Sequence, residues 1–317
     1  MMNFQKMPSI ETSSDFLDKA FRKARERGKQ KKLTGNWLQT IRKKEGLKID
    51  IVKDSIVSKL EKIHQTLPDL KVLPEFYIKL MKLTLDFQEF KRNMGSLPWA
   101  IKQISKLHRE SIKEIHQIKE GGNVKNVTKH FYGRLSSVLK QIDPQLKSLE
   151  KMRKVMCTYP DIKEMFTICI YGFPNVGKST LLNKLTGTTA EIAAYSFTTK
   201  SINAGYLTSG KIKVQVLDVP GTLARKDKMN NIELQAELVV DELADMIIFV
   251  FDFSGNISYS VEEQEKLFKN LKSREDVLVY ISKQDITNQD VVAKFKHKHY
   301  SLDEIKTEIE KVAKDIE

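Results

Sequence analysis

Apolar residues recur at spacings of three and four through most of the first half of the chain. Ile49, Val52, Ile56, Leu60, Ile63 and Leu67 form one such stripe, which predicts an amphipathic helix that Pro68 stops. Pro74 is placed to open a second helix with Tyr77, Leu80, Leu83 and Phe87 on one side. Pro98 is placed to open a third carrying Ile101, Ile104, Ile115 and Ile118, with Gly121 and Gly122 ending it. Segments from Val124 to Leu139 and from Pro144 to Met156 continue in the same style. The expectation is an antiparallel all-α helical bundle in which Phe76, Phe90 and Trp99 serve packing.

After Tyr159, Pro160 and Asp161 the texture changes. Compact β-rich runs at Phe166–Tyr171, Lys213–Leu217, Met246–Phe251 and Val277–Ile281 alternate with helical spacing at Lys178–Leu185, Ile232–Leu243 and Val261–Leu271. Such alternation predicts an α/β domain with a mainly parallel sheet covered on both faces. The domain cut is therefore expected at 160/161, with a helical bundle over 1–160 and an α/β domain over 161–317.

Composition sharpens this division. Residues 1–160 hold 34 Lys and Arg against 17 Asp and Glu, whereas residues 161–317 hold 20 against 24, so the net charge of +13 is entirely N-terminal. A basic excess of that size points the first half toward a polyanion, nucleic acid above all. The longest apolar stretch, Met246–Phe253, is too short for a bilayer, and the N-terminus carries no contiguous apolar segment of a secretion signal. A cytoplasmic protein with no membrane partner is expected. Cys157 and Cys169 have neither the number nor the spacing of a disulfide framework or zinc site, and are expected to be reduced.

The chemistry sits in the second half. Gly172-Phe173-Pro174-Asn175-Val176-Gly177-Lys178-Ser179-Thr180 fits the phosphate-binding loop, between an expected strand and an expected helix. Its glycines let backbone N–H groups turn toward phosphate oxygens, Lys178 reaches the outer phosphates, and the Ser179 hydroxyl is a ligand for Mg²⁺. Asp218-Val-Pro-Gly221 follows a strand; there a carboxylate can hold the metal through water and the Gly221 N–H can sense the last phosphate. Between them, Ser196-Phe197-Thr198-Thr199 offers a hydroxyl to the metal from a switch segment, with Thr199 favoured. The expected metal set is thus Ser179, Thr199 and Asp218, and the catalytic set Lys178, Thr199 and Gly221. Ser282-Lys283-Gln284-Asp285 ends another strand. Asp285 can accept two hydrogen bonds from the edge of guanine, which adenine cannot donate, and Lys283 is counted with it among the nucleotide contacts. Ser301 is a candidate for the last guanine-contacting loop. The segment Lys296-His297-Lys298-His299 is read as a solvated basic loop rather than a metal site.

Four stretches carry a resemblance: Phe131-Tyr-Gly-Arg-Leu-Ser-Ser137, Gly172 to Thr180, Ser196-Phe-Thr-Thr-Lys200 and Tyr259-Ser-Val-Glu-Glu-Gln264. Together they resemble the Obg-related GTPases, and more narrowly the nucleolar GTP-binding (Nog) family in its short archaeal form. The resemblance implies a helical domain before a GTPase domain, binding of GTP and GDP with Mg²⁺, and action in assembly of the large ribosomal subunit, with its precursor and rRNA as partners. It also implies a potassium ion beside Asn175, the alternative being that Asn175 merely fits the loop. The family usually has Pro where Ser196 stands and Asn where Ser282 stands. Thr222 follows Gly221 where many GTPases have a glutamine that orients the attacking water, so slow intrinsic hydrolysis is expected.

Two other readings stay open: a nucleotide-binding scaffold with little turnover, and a GTPase accessory to RNA modification. For RNA contact, the run from Lys19 to Lys32 carries eight basic residues and one acid. Helical spacing places Arg22, Arg25 and Lys29 along one side, with Phe16, Leu17, Ala20 and Ala24 facing inward, and predicts a stripe that contacts phosphates without reading sequence.

Overall fold

Strand β5 (Met246–Asp252) is buried at every position and β1 (Thr167–Tyr171) likewise. Because alternate side chains of a strand point to opposite faces, continuous burial means that both faces of the sheet are covered there. In the computed structural model, which describes residues 4–30, 35–119, 121–160, 162–163, 165–187, 193–197, 200–209, 212–223, 231–255, 258–271, 274, 276–287 and 289–316, these strands form the centre of a six-stranded sheet. The order is β2 (Ala193–Phe197), β3 (Lys200–Ser209), β4 (Ile212–Asp218), β1, β5 and β6 (Val277–Ser282). β1 runs parallel to β4 and β5, and β5 to β6, whereas β2, β3 and β4 pair antiparallel. Chain order reverses across β1, so the crevice beyond its carboxyl end is where ligands of open α/β sheets bind.

The chain divides into two compact units, one of Met1–Leu73 with Leu85–Cys157 and one of Pro74–Thr84 with Thr158–Glu317. The helical unit contains α1 (Ser13–Gln30), α2 (Trp37–Thr66), α4 (Phe87–Gln117) and α5 (Gly121–Met156). Helix α3 (Glu75–Thr84), although enclosed in sequence by that unit, groups with the second. There its Tyr77 hydroxyl donates to the Pro160 carbonyl (2.7 Å) and accepts from the Ile162 N–H (3.1 Å). Lys79 pairs at 2.6 Å with Glu242 of α7 (Asn231–Leu243). The remaining helices of the second unit are α6 (Lys178–Thr186), α8 (Val261–Lys269), α9 (Gln289–Ala293) and α10 (Leu302–Ile316).

Several boundaries differ from the pattern of the sequence. Helix α2 begins twelve residues before Ile49, where Asn36 and Gln39 form a reciprocal cap. Pro98 lies inside α4 instead of opening a helix; Asp86 caps that helix by accepting from the Glu89 N–H, and Phe87 belongs to it rather than to α3. An interior proline costs roughly 3 kcal/mol, but Leu97, Ala100 and Ile104 on the same stretch are fully buried. The Leu and Ile side chains alone offset that cost, at about 1.5–3 kcal/mol each. Pro144 is likewise interior to a continuous α5, and Gly121 and Gly122 start that helix. Phe76 and Phe90 are core residues as expected, while Trp99 is 42% exposed and packs only in part. Strands β2 and β3 and helices α9 and α10 have no counterpart in the sequence pattern.

The first residues of the helical unit are held by α5. Asp143 accepts from the Ser13 N–H (2.9 Å), Glu150 accepts from the Ile10 N–H (2.8 Å), and Arg153 donates to the Met7 carbonyl (2.9 Å). Phe16, Ala20 and Ala24 of α1 are buried, Leu17 is half-buried, and Arg22 and Arg25 are exposed. The side chain of Lys29 lies outside the described residues. The two arginines share a groove of about 640 Å³ with Asp15, Asp18, Lys19 and Glu26, so the exposed face is mixed in charge rather than purely basic.

Candidate nucleotide-binding site

The loop Gly172–Gly177 joins the end of β1 to the start of α6. Two close approaches explain its glycine and that of the Asp218–Gly221 segment. Gly172 has φ +149°, and a Cβ there would meet the Val250 carbonyl oxygen at 2.8 Å. A Cβ on Gly221 would lie 2.7 Å from Pro174 Cα, so only glycine lets that segment rest against the loop. Asn175 at the loop's tip is left-handed (φ 63°) and exposed, and Gly177 (φ 94°) leads into α6 with its Cα facing Ser282. Phe173 is buried beneath the loop, its ring 4.9 Å from that of Tyr259.

Lys178 is buried, and its ammonium donates to the carbonyls of Phe173 (2.7 Å) and Gly172 (3.3 Å), which aims it back over the loop. The Ser179 hydroxyl donates to Asp218 Oδ2 at 2.5 Å, so the helix after the loop and the end of β4 converge on one point. Asn203 Nδ2 approaches the same oxygen at 3.4 Å. A hydroxyl and a carboxylate side by side are the hard oxygen donors that Mg²⁺ takes, and the lack of room for a Cβ at Gly172 and Gly221 holds the loop close to β5 and to the Asp218–Gly221 segment. Thr180 is exposed on α6. Thr198 and Thr199 lie outside the described residues. Among those described, no group of three or more His, Cys, Asp or Glu side chains gathers as a metal site.

Thr222 is fully buried. Its hydroxyl donates to the Tyr171 hydroxyl at 2.7 Å, and burial pushes the Tyr171 phenol up in pKa. The next residue, Leu223, is fixed through its N–H to Glu233 of α7 (3.1 Å).

On the base side, Ser282 is buried, and its hydroxyl donates to the Phe251 carbonyl (3.1 Å) within the sheet. Lys283 is left-handed (φ 51°); its ammonium donates to Asp252 Oδ2 (2.6 Å) and the Asn175 carbonyl (3.1 Å). Asp285 is exposed in the turn that follows. Sequence reasoning missed Asp252 altogether. The signal was present in Tyr259–Gln264: the Gln264 amide accepts from the Asp252 N–H and donates to the Asp252 carbonyl, both at 2.9 Å. Ser301 caps α10 with Glu304, just after Tyr300 pairs with Tyr280 at the sheet's edge. His297 is not simply solvated: its ring packs on Phe268 (5.0 Å) and Phe295 (5.2 Å).

Residues 4–163 match the family described as the NOG1 N-terminal helical domain, and residues 167–295 match the 50S ribosome-binding GTPase family. An uncharacterized protein of Methanocaldococcus jannaschii is 35% identical over 91% of this chain and 83% of its own length. Nucleolar GTP-binding protein 1 of Drosophila melanogaster is 29% identical over 90% of this chain and 45% of its own, and that of Saccharomyces cerevisiae 26% over 90% and 45%. The chain thus spans less than half the length of these nucleolar relatives. The G domain of the Thermotoga maritima FeoB iron transporter shares 25% identity over 42% of this chain and 78% of that one, at a TM-score of 0.32, too loose a likeness to bear on function. With a NOG1-type helical half and a phosphate loop on a GTPase sheet, the chain belongs to the nucleolar GTP-binding protein family and is a guanine-nucleotide-binding GTPase.

Proposed function

We propose that this chain is a GTP-hydrolysing switch acting in assembly of the large ribosomal subunit, with the precursor particle and its rRNA as partners. The observation that carries the switch is the convergence of Ser179 and Asp218 at 2.5 Å, which joins the loop for the phosphates to the segment ending in Gly221. The ribosomal part is supported by the description of the matched GTPase family, by the names of the relatives, and by the charge balance of +17 in residues 1–160.

In this reading the backbone of Gly172–Gly177 and Thr180 cradles the phosphates. Lys178 supplies fixed positive charge to them, Gly221 senses the outermost one, and Asp285 with Lys283 holds the base and ribose side. Ser179 and Asp218, with Thr199 from the switch segment, would hold Mg²⁺, which would supply positive charge against the phosphates. Asn175 would hold K⁺ beside the phosphates, where a second cation would supply positive charge as it develops in the transition state. Thr222 takes no part in orienting water, since its hydroxyl is committed to Tyr171. That commitment favours slow turnover by the isolated chain, and a scaffold with little turnover is the second reading.

Turnover of GTP by the full chain, measured in sodium and in potassium with and without large-subunit precursors, tests both. Stimulation by potassium and by the particle is expected; equal rates in all four conditions sink the switch. Crosslinking to cellular RNA in the GTP and GDP forms tests the partner, with large-subunit rRNA as the expected product.

A further inference from the structure

The nucleotide site described above leaves one buried acid without a role. Asp252 closes β5 directly opposite Ser282, the last residue of β6, and its side chain is fully enclosed. Its Oδ2 takes the Lys283 ammonium and its Oδ1 the Ser254 N–H at 2.8 Å. Its main chain is gripped from both directions by the buried Gln264 amide. Burial alone would raise this carboxyl; the bonds from Lys283 and Ser254 outweigh it and hold the group below the usual aspartate range. The same lysine ammonium also donates to the Asn175 carbonyl of the phosphate loop.

We propose that Asp252 is a positioning residue for guanine nucleotide: it fixes Lys283 so that the base-recognition turn and the phosphate loop are tied to one anchor, and thereby slows nucleotide release. The inference rests on the nucleotide reading of this site. Lys283 has a long, flexible side chain, and its backbone is already in the left-handed region. An ion pair with a rigid, enclosed carboxylate removes the freedom that a lone lysine would have to swing into solvent. Gln264 supplies the rigidity, since a strand end clamped at both its N–H and its carbonyl cannot retreat. The Tyr259–Gln264 motif is then the outer support of the nucleotide site: Tyr259 packs on Phe173 of the loop, and Gln264 holds the anchor of the turn.

The experiment is release of fluorescent methylanthraniloyl-GDP from the full chain, chased with excess GDP. Asp252→Asn is nearly isosteric and is expected to release at least about tenfold faster, as is Lys283→Met. The double variant should release no faster than the quicker single, because both changes cut one tether. Preference for GDP over ADP should persist in Asp252→Asn, which a general loosening of the fold would not allow. Release within twofold of wild type in Asp252→Asn, or rate effects that multiply in the double variant, overturns the proposal. If Asp252→Asn does not fold, Gln264→Met keeps the charge and removes both main-chain bonds. Faster release from it supports the proposal, and unchanged release refutes it. A wild-type chain that fails to bind the labelled GDP removes the nucleotide reading itself and this inference with it; binding with unaltered variants removes the inference alone.

Discussion

Asn175 and Lys283, the two non-glycine residues with left-handed backbones among the described residues, are joined by a 3.1 Å hydrogen bond from the lysine ammonium to the asparagine carbonyl. Each such conformation costs roughly 1–2 kcal/mol, somewhat less for asparagine, so the nucleotide site keeps two strained corners facing each other and spans them with one side chain. Strain of this kind persists only where the surroundings enforce it.

The Ser282 hydroxyl is spent on the Phe251 carbonyl beneath Gly177 and does not reach toward a base. Ser282→Asn should therefore tighten GDP binding by the worth of one hydrogen bond, about 0.5–1.5 kcal/mol, or roughly two- to tenfold. Calorimetry on the two proteins decides it, and looser binding by the asparagine variant would contradict the prediction.

Asp285 is exposed and free to meet a base edge with both carboxylate oxygens. Asp285→Asn replaces one acceptor by a donor and should lower the preference for GTP over ATP by about ten- to a hundredfold, the range for hydrogen bonds to a charged group. Competition binding with the two nucleotides measures the ratio; an unaltered ratio would place base recognition elsewhere.

Placing glutamine at position 222 is the obvious attempt to speed hydrolysis, and the structure argues against it. Thr222 is enclosed and bonded to Tyr171, so the larger side chain overpacks the site at a cost of about 1–3 kcal/mol. Thr222→Gln should lower the melting temperature while leaving GTP turnover within a few-fold of wild type. A large acceleration would show that this segment rearranges to present residue 222 to the nucleotide.

Asp143 is the acid whose lowered pKa, about 2 against an ordinary 3.8, has the clearest structural partners: Lys147 first, then the Ser13 hydroxyl and N–H. A depressed carboxyl contributes stability above its unfolded value and loses it as pH falls through the folded one. Wild-type stability should accordingly drop between about pH 4 and pH 2, and Asp143→Asn should be less stable at neutral pH with a shallower drop. Urea midpoints across that range provide the check, parallel curves being the contrary result.

For RNA contact, Arg22→Glu, Arg25→Glu and Lys29→Glu together should weaken rRNA binding, and each lost phosphate contact should reduce the logarithmic salt slope by roughly 0.7–0.9. Asp15, Asp18 and Glu26 share the groove with these arginines, so the effect tests whether net charge or particular arginines matter. An unchanged affinity and slope would make this helix face a solvated one.

What the sequence made legible was whatever depends on local rules. The phosphate loop, the Asp218–Gly221 turn and four strands of the sheet follow from glycine placement and from short apolar runs that need covering on both faces. Helices α4 and α5 were cut at Pro98 and Pro144 because a proline's cost is local, whereas the burial that overrides it comes from residues distant in the chain. The antiparallel strands β2 and β3 are hard to read locally because Ala193–Phe197 and Lys200–Ser209 are short on large apolar residues and draw their order from pairing, β3 with β4 and β2 with β3. Asp252 was invisible for a similar reason: an aspartate ending a strand is unremarkable until Lys283 and Gln264 are seen on it.

The excursion of α3 bears on how this protein can be dissected. Because Pro74–Thr84 belongs with Thr158–Glu317, the polypeptide passes from one unit to the other three times, at 73/74, 84/85 and 157/158. A fragment starting at residue 161 would strip Glu242 of Lys79 and Ile162 of the Tyr77 hydroxyl, and would bare the side of α7 that α3 covers. Such a fragment is a poor stand-in for the GTPase half. The faithful minimal version carries residues 74–84 grafted ahead of 158–317 through a flexible joint, and limited proteolysis near residue 73 or 85 should nick the chain without releasing either half.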